Sequence, residues 1–118
     1  MKFYKHPSYI GYADSKDLKK DKRQVAWETQ YNEKGFDDTV TWSLDYMLVK
    51  WLTPRLERLI EIDKEIIDEP ELIKDLETML SGFKLYLSDD FNEFDKKHMK
   101  RINKSFKLLA KNYRGLWW

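Results

Sequence analysis

The sequence predicts an all-α fold: a compact bundle of about four helices with an extended aromatic N-terminal arm and an aromatic C-terminal tail. Three observations carry that reading. Apolar residues recur at spacings of three and four from Leu44 to Tyr113, the period of helices that each bury one face. Helix start and stop residues punctuate the stretch at Gly35, Asp68-Glu69-Pro70, Ser88-Asp89-Asp90 and Gly115. The 118 residues are 42% hydrophobic and 36% charged, enough to bury a core behind a solvated surface. The chain reads as one helical domain, 1–118, without internal repeats.

Residues 1–13 hold Phe3, Tyr4, Tyr9, Ile10 and Tyr12 between the breakers Pro7 and Gly11, and read as an extended arm. A first helix is expected over 14–34, with a weak apolar stripe of Leu18, Val25 and Ala26. Gly35 ends it, since glycine suits the left-handed position after a helix. The second helix is expected over 38–63, capped by Asp38 or Thr39. It would bury Leu44, Met47, Leu48, Trp51, Leu52, Leu56, Leu59 and Ile60. Pro54 lies inside it, lacks an amide hydrogen and clashes with the Lys50 carbonyl, so a bend is expected there. An interior proline costs ~3 kcal/mol, which the fold must offset.

Asp68-Glu69-Pro70-Glu71 restarts the chain as a third helix over 68–87, with Asp68 as cap and Pro70 in the first turn. Its buried face is Leu72, Ile73, Leu76, Met79, Leu80, Phe83 and Leu87. A fourth, basic helix is expected over 89–114, capped by the Ser88-Asp89-Asp90 group. It would bury Phe91, Phe94, Met99, Ile102, Phe106, Leu109 and Tyr113, leaving 115–118 as a hydrophobic tail.

Composition removes several functional classes. There is no cysteine, which excludes disulfides and thiolate metal sites and fits a reducing cytoplasm. No apolar signal core follows Met1, and no stretch reaches membrane-spanning length, so no membrane partner is expected. His6 and His98 lie far apart, and neither has a partner at metal-ligand spacing. Asp89 and Asp90 read as caps, and Glu57 and Glu61 as surface charge without the histidine motif of a carboxylate metal site. Four glycines form no phosphate loop. Neither enzyme, cofactor nor metal is expected.

Binding readings remain. Aromatic residues are 15% of the chain, with five Trp, seven Tyr and six Phe. On the second helix, Trp42, Asp45, Tyr46, Val49 and Thr53 share a face away from the expected core, with Arg55 and Arg58 on a neighbouring stripe. Aromatic faces beside guanidinium groups stack a nucleobase and grip phosphate oxygens, and Asp45 can accept from an exocyclic amine. The structural alternative packs Trp42 and Tyr46 against the arm and pairs Asp45 with Arg55 or a backbone amide. Tyr9, Tyr12, Trp117 and Trp118 are aromatic termini that need burial beyond one small bundle, which predicts a homo-oligomer built on them.

Net charge is +1, yet the signs are segregated. Residues 61–77 are mostly acidic, and 96–114 almost purely basic, with Lys97, Lys100, Arg101, Lys104, Lys107 and Lys111. Such asymmetry can mark an anionic partner, whose phosphate backbone the basic face could track, or complementarity between packed helices or subunits. The structural reading is preferred, because a solvated charged helix face is the commoner case. A nucleic-acid partner is not expected, because a dedicated binder carries a domain-wide excess of positive charge.

The block around Trp42 resembles a family of small proteins, mostly without assigned function, encoded by tailed bacteriophages. Its shared pattern is an aspartate, then threonine, tryptophan, serine or asparagine, leucine, aspartate and tyrosine, closing on leucine- or threonine-proline-arginine-leucine. The matching positions are Asp38, Thr41, Trp42, Ser43, Leu44, Asp45, Tyr46, Pro54, Arg55 and Leu56, with Gly35 and Phe36 upstream. The match spans roughly residues 35–61. Val40 is an insertion, and neither the aromatic N-terminus nor the chain beyond Glu61 belongs to the pattern. The resemblance implies a phage accessory protein without enzyme activity, acting in the cytoplasm of the infected bacterial host. Such proteins often counter host defence by binding. The expected function is sequestration of a small anionic, cyclic nucleotide signal without cleavage. The alternatives are a protein-protein inhibitor of a host defence enzyme, or a virion or packaging accessory.

Overall fold

The helical period is realised throughout the part of the chain that the computed structural model describes, residues 22–118, with side chains described from Gln24. The expected arm over 1–13, with Tyr9 and Tyr12, lies outside those residues, as does the start of the first expected helix. Among the described residues are four α-helices and no strand: α1 (Lys22–Lys34), α2 (Leu44–Ile66), α3 (Pro70–Leu87) and α4 (Lys96–Asn112). The all-α expectation holds. The chain divides into two compact units, Met1–Met47 and Leu48–Trp118, with the boundary inside α2.

In the first unit, α1 stops where glycine permits it. Gly35 has φ 79°, and its amide donates to the Tyr31 carbonyl at 2.8 Å. A single 3₁₀ turn, Asp38–Val40, follows, capped by the Asp37 carboxylate, which accepts from the Thr39 amide at 2.8 Å and from the Thr39 hydroxyl. Gln30 clamps this turn to α1. Its side chain donates to Asp38 Oδ1 at 2.6 Å and accepts from the Asp38 amide at 2.8 Å. These local bonds correct the expected start of the second helix: the Asp38 region forms its own turn, and α2 begins at Leu44.

The second unit packs the rest of α2 with α3 and α4. Its core cluster is Val49, Leu56, Ile60, Leu76, Met79 and Phe83, with Leu52, Leu72, Leu80, Leu87, Phe106, Leu109 and Leu116 packed around it. The α3 face is the expected one. The α2 face is not. Its buried residues are Val49, Thr53, Leu56, Ile60 and Asp63, whereas Leu48 and Trp51 are 45% and 58% exposed. Val49 and Thr53, expected to face away from the core, are inside it. Thr53 is tolerated there because its hydroxyl donates to the Val49 carbonyl at 2.6 Å. Pro54 is exposed, so the Lys50 carbonyl that loses its helical donor lies on the solvent side, and α2 continues through the proline as one helix.

Two further boundaries move for local reasons. Asp68 does not cap α3. It takes a left-handed conformation, φ 48°, and its amide donates back to the Asp63 carbonyl at 2.8 Å, while Glu69 stands at the cap ahead of Pro70. The fourth helix begins at Lys96 with Asp95 as cap, whose carboxylate accepts from the Lys97 amide at 2.8 Å and the His98 amide at 3.3 Å. Asp89 and Asp90 are exposed in the connection, and Phe94, expected to be buried, is 86% exposed. Tyr113, likewise expected inside, is exposed in the 3₁₀ turn Tyr113–Gly115 that ends α4.

Helices α3 and α4 approach closely along their seam. A Cβ on Gly82 would stand 1.9 Å from Ser105 Oγ, so only glycine admits this approach. The buried Ser105 hydroxyl donates across the seam to the Met79 carbonyl at 3.1 Å. Beside it, Phe83 and Phe106 meet edge to face at 5.2 Å, a geometry that aromatic quadrupoles favour.

Candidate functional site

Rotating the buried face of α2 toward Val49 and Thr53 leaves Trp51, Arg55 and Arg58 on its outer side, where they line an open groove. Its other walls are Leu52, Leu56, Leu59, Ile62 and the C-terminal tail Leu116-Trp117-Trp118, and its volume is about 620 Å³. The tail is anchored by Leu116, which packs on the core, while Trp117 and Trp118 are 65% and 66% exposed. The floor is aliphatic, the rim is three indole rings, and two guanidinium groups supply the charge.

The arginines are held differently. The Arg55 carbon Cζ lies 4.4 Å from the centre of the Trp51 ring, and its Nη1 donates to the Trp51 carbonyl at 2.8 Å. That cation–π contact and bond hold the guanidinium over the ring. Arg58 Nη1 meets Glu61 Oε2 at 2.9 Å, and both side chains are more than half exposed. An exposed pair one turn apart is worth less than about 1 kcal/mol and exchanges readily for a better anion. A groove of this kind accepts a flat ring against indole and an anionic group against guanidinium.

The five ligand residues expected from the sequence fall in both units. Arg55 and Arg58 line the groove of the second unit. Trp42, Asp45 and Tyr46 belong to the first, where all three are exposed. The rings beside the arginines are Trp51, expected in the core, and Trp117 and Trp118, expected in an oligomer interface. The signal for the tail was present in the sequence, as two tryptophans after a helix stop. The signal for Trp51 was its four-residue spacing from Arg55.

The first unit has its own recess, about 480 Å³, lined by Gln24, Trp27, Glu28, Tyr31, Asn32, Asp37 and Thr39. Trp27 is buried there, and its indole nitrogen has no hydrogen-bond partner among the described residues.

Two carboxylates in the second unit have shifted acidity. Asp63 is fully buried, and neither of its oxygens has a hydrogen-bond partner among the described residues, so burial first, and the nearby Glu69 charge second, push its pKa up. Asp75 accepts from Lys111 at 2.9 Å and Asn112 at 3.2 Å, and these bonds hold its pKa down. Neither belongs to the groove. Among the described residues no group of three His, Asp or Glu side chains is placed to hold a metal ion. No helix described is long and apolar enough to cross a membrane.

No family model, curated protein or solved structure matches the chain.

Proposed function

We propose that this chain is a non-catalytic binding protein whose groove beside α2 holds a small anionic nucleotide. The observation that carries the reading is the convergence of Trp51, Trp117 and Trp118 with Arg55 and Arg58 around one open volume of about 620 Å³. That volume lies within the range of about 300–1,000 Å³ in which small-molecule sites fall. Indole faces stack a base whatever its identity, and the arginine fork takes phosphate oxygens two at a time. None of the described residues lining the groove is a nucleophile or a general base, which favours a ligand that is held and not cleaved. Together with the resemblance of residues 35–61 to phage proteins, this supports an accessory that sequesters a cyclic nucleotide signal in the infected cell.

The aliphatic floor favours one second reading, a protein-protein inhibitor. Exposed tryptophans beside arginine are the composition of an interface hot spot, and a host protein's apolar side chain would fill the same groove.

Calorimetry with cyclic di- and trinucleotides tests the first reading. Wild type is expected to bind at least one of them. Trp51→Ala should lose about 1–3 kcal/mol of affinity, the usual worth of a base–aromatic stack. Arg58→Lys should weaken binding too, because a point charge loses the bidentate geometry. No heat from any ligand in the panel sinks the nucleotide reading. Co-purification of a stoichiometric host protein then supports the second.

A further inference from the structure

The segregated charge of this chain was expected to reflect complementarity between packed helices or between subunits, and among the described residues most of it has no partner within the chain. Asp75 takes Lys111, and α2 and α3 pair Lys64 with Glu77 and Lys84 with Glu57. Lys96, Lys100, Lys104 and Lys107 of α4 are all exposed, and no carboxylate among the described residues pairs with them. They stand on the side of the helix opposite Ile102 and Ser105, which face the core. With Met99 and Asn103 they line an open recess of about 590 Å³. The helix contains no Asp or Glu of its own. Like charges at steps of four, four and three repel one another, so this face is costly until an anion covers it.

We infer that the Lys96–Lys100–Lys104–Lys107 face of α4 is a sequence-independent contact surface for the phosphate backbone of duplex nucleic acid. The dimensions agree. From Lys96 to Lys107 the helix axis advances about 16 Å at 1.5 Å per residue. One strand of a duplex places a phosphate every ~3.4 Å of axis, so that length spans more phosphates than there are lysines. Among the described residues no aromatic ring lines the recess, which leaves a single strand no stacking platform and favours a duplex whose bases are already enclosed. Base reading is absent for a related reason. Arg101, the one arginine of α4, donates to Ser81 Oγ at 2.6 Å on the α3 side, and lysine point charges carry no fork for a base edge. A net charge of +1 argued against a nucleic-acid partner, but the charge that matters is local to this face. The inference does not depend on the groove beside α2.

Fluorescence anisotropy with the full chain and two unrelated 20-base-pair DNA duplexes tests it. Both duplexes should bind alike, with a log–log salt slope of about −3 to −4, the value for four phosphate contacts. Between 50 and 200 mM salt that slope weakens binding on the order of a hundredfold. Replacing Lys96, Lys100, Lys104 and Lys107 together by Gln should cut affinity at 50 mM salt at least tenfold and flatten the slope. The charge-matched control, Gln at Lys50, Lys64, Lys74 and Lys84, should leave both nearly unchanged. Lys100→Gln alone should reduce the slope by about one, which keeps the test open should the quadruple variant misfold. No binding of wild type at 50 mM salt, equal losses in both quadruple variants, or tighter binding to a single strand of the same length would each overturn the inference.

Discussion

The second unit has two aromatic surfaces, and they do opposite things. Along the α3–α4 seam, Phe83 and Phe106 meet edge to face, and Gly82 lets the two helices approach until Ser105 bonds across to the Met79 carbonyl. Along α2 and the tail, Trp51, Trp117 and Trp118 remain more than half exposed around an open groove. Buried apolar area stabilises by roughly 25 cal/mol per Å², so the seam spends its rings on folding and the groove leaves that free energy available for a ligand. The rings of the seam serve packing, and the exposed rings of the groove are free to serve binding.

The largest expected effect lies in the seam. Gly82→Ala places a methyl group 1.9 Å from Ser105 Oγ, so the helices must part, and overpacking of this kind costs about 1–3 kcal/mol or more. Adding Ser105→Ala should return part of the loss, because the hydroxyl is the nearest atom, although Arg101 O would remain at 3.0 Å. Urea unfolding of the two variants measures both. A Gly82→Ala protein as stable as wild type would remove the close approach and with it the contrast with the groove.

Next in size, and opposite in sign, is Asp63. Among the described residues no group pairs with this fully buried carboxylate, and such a group opposes folding when charged, by about 1–3 kcal/mol. Its folded pKa is raised, so its favourable neutral form is fully present below the ordinary carboxylate value of 3.8 and is lost as pH rises through the folded value. Asp63→Asn should therefore raise the melting temperature at pH 7, with the advantage over wild type shrinking as pH falls toward 4. Asp75, whose pKa is lowered, runs the other way and loses its contribution on acidification. An Asp63→Asn protein less stable than wild type at pH 7 would mean that the carboxylate has a stabilising partner.

How legible these regions were depends on how one-sided each helix is. On α3 the large apolar residues occupy a single face, and Leu76, Met79 and Phe83 were readable as core from spacing alone. On α2 they occupy nearly every side, so periodicity did not decide which stripe turns inward. Packing decides it: the slimmer Val49 and Thr53 are buried, and the bulky Trp51 stays outside. The start of α4 was obscured because Phe91 and Phe94 continue an apparent helical period. The chain there is instead tied by side-chain bonds, Phe94 N to Asn92 Oδ1 at 3.0 Å and the Asp95 cap. The arginines of the groove could be identified from the sequence. Of their rings, Trp51 was within reach of Arg55 by spacing, whereas Trp117 and Trp118 could not be assigned to them, since a tail more than fifty residues away in the chain reaches the arginines only through the fold.

The smallest expected effects are the sharpest test of the groove, because they compare neighbours in the tail. Leu116 packs on the core, and Leu116→Ala should cost about 2 kcal/mol, toward the lower end for a large-to-small change at a partly buried site. Trp117→Ala removes a far larger side chain, yet one that is 65% exposed, so the area term predicts a loss of about 1 kcal/mol or less. Trp51→Ala should behave similarly in unfolding, with some further loss because Arg55 no longer has a ring to lie over. A site built for binding shows this inverted order, with the bigger truncation costing less stability and more affinity. Should Trp117→Ala destabilise more than Leu116→Ala, the indole is structural. The tail would then belong with the seam, and the groove would lose one of the rings that make it a binding site.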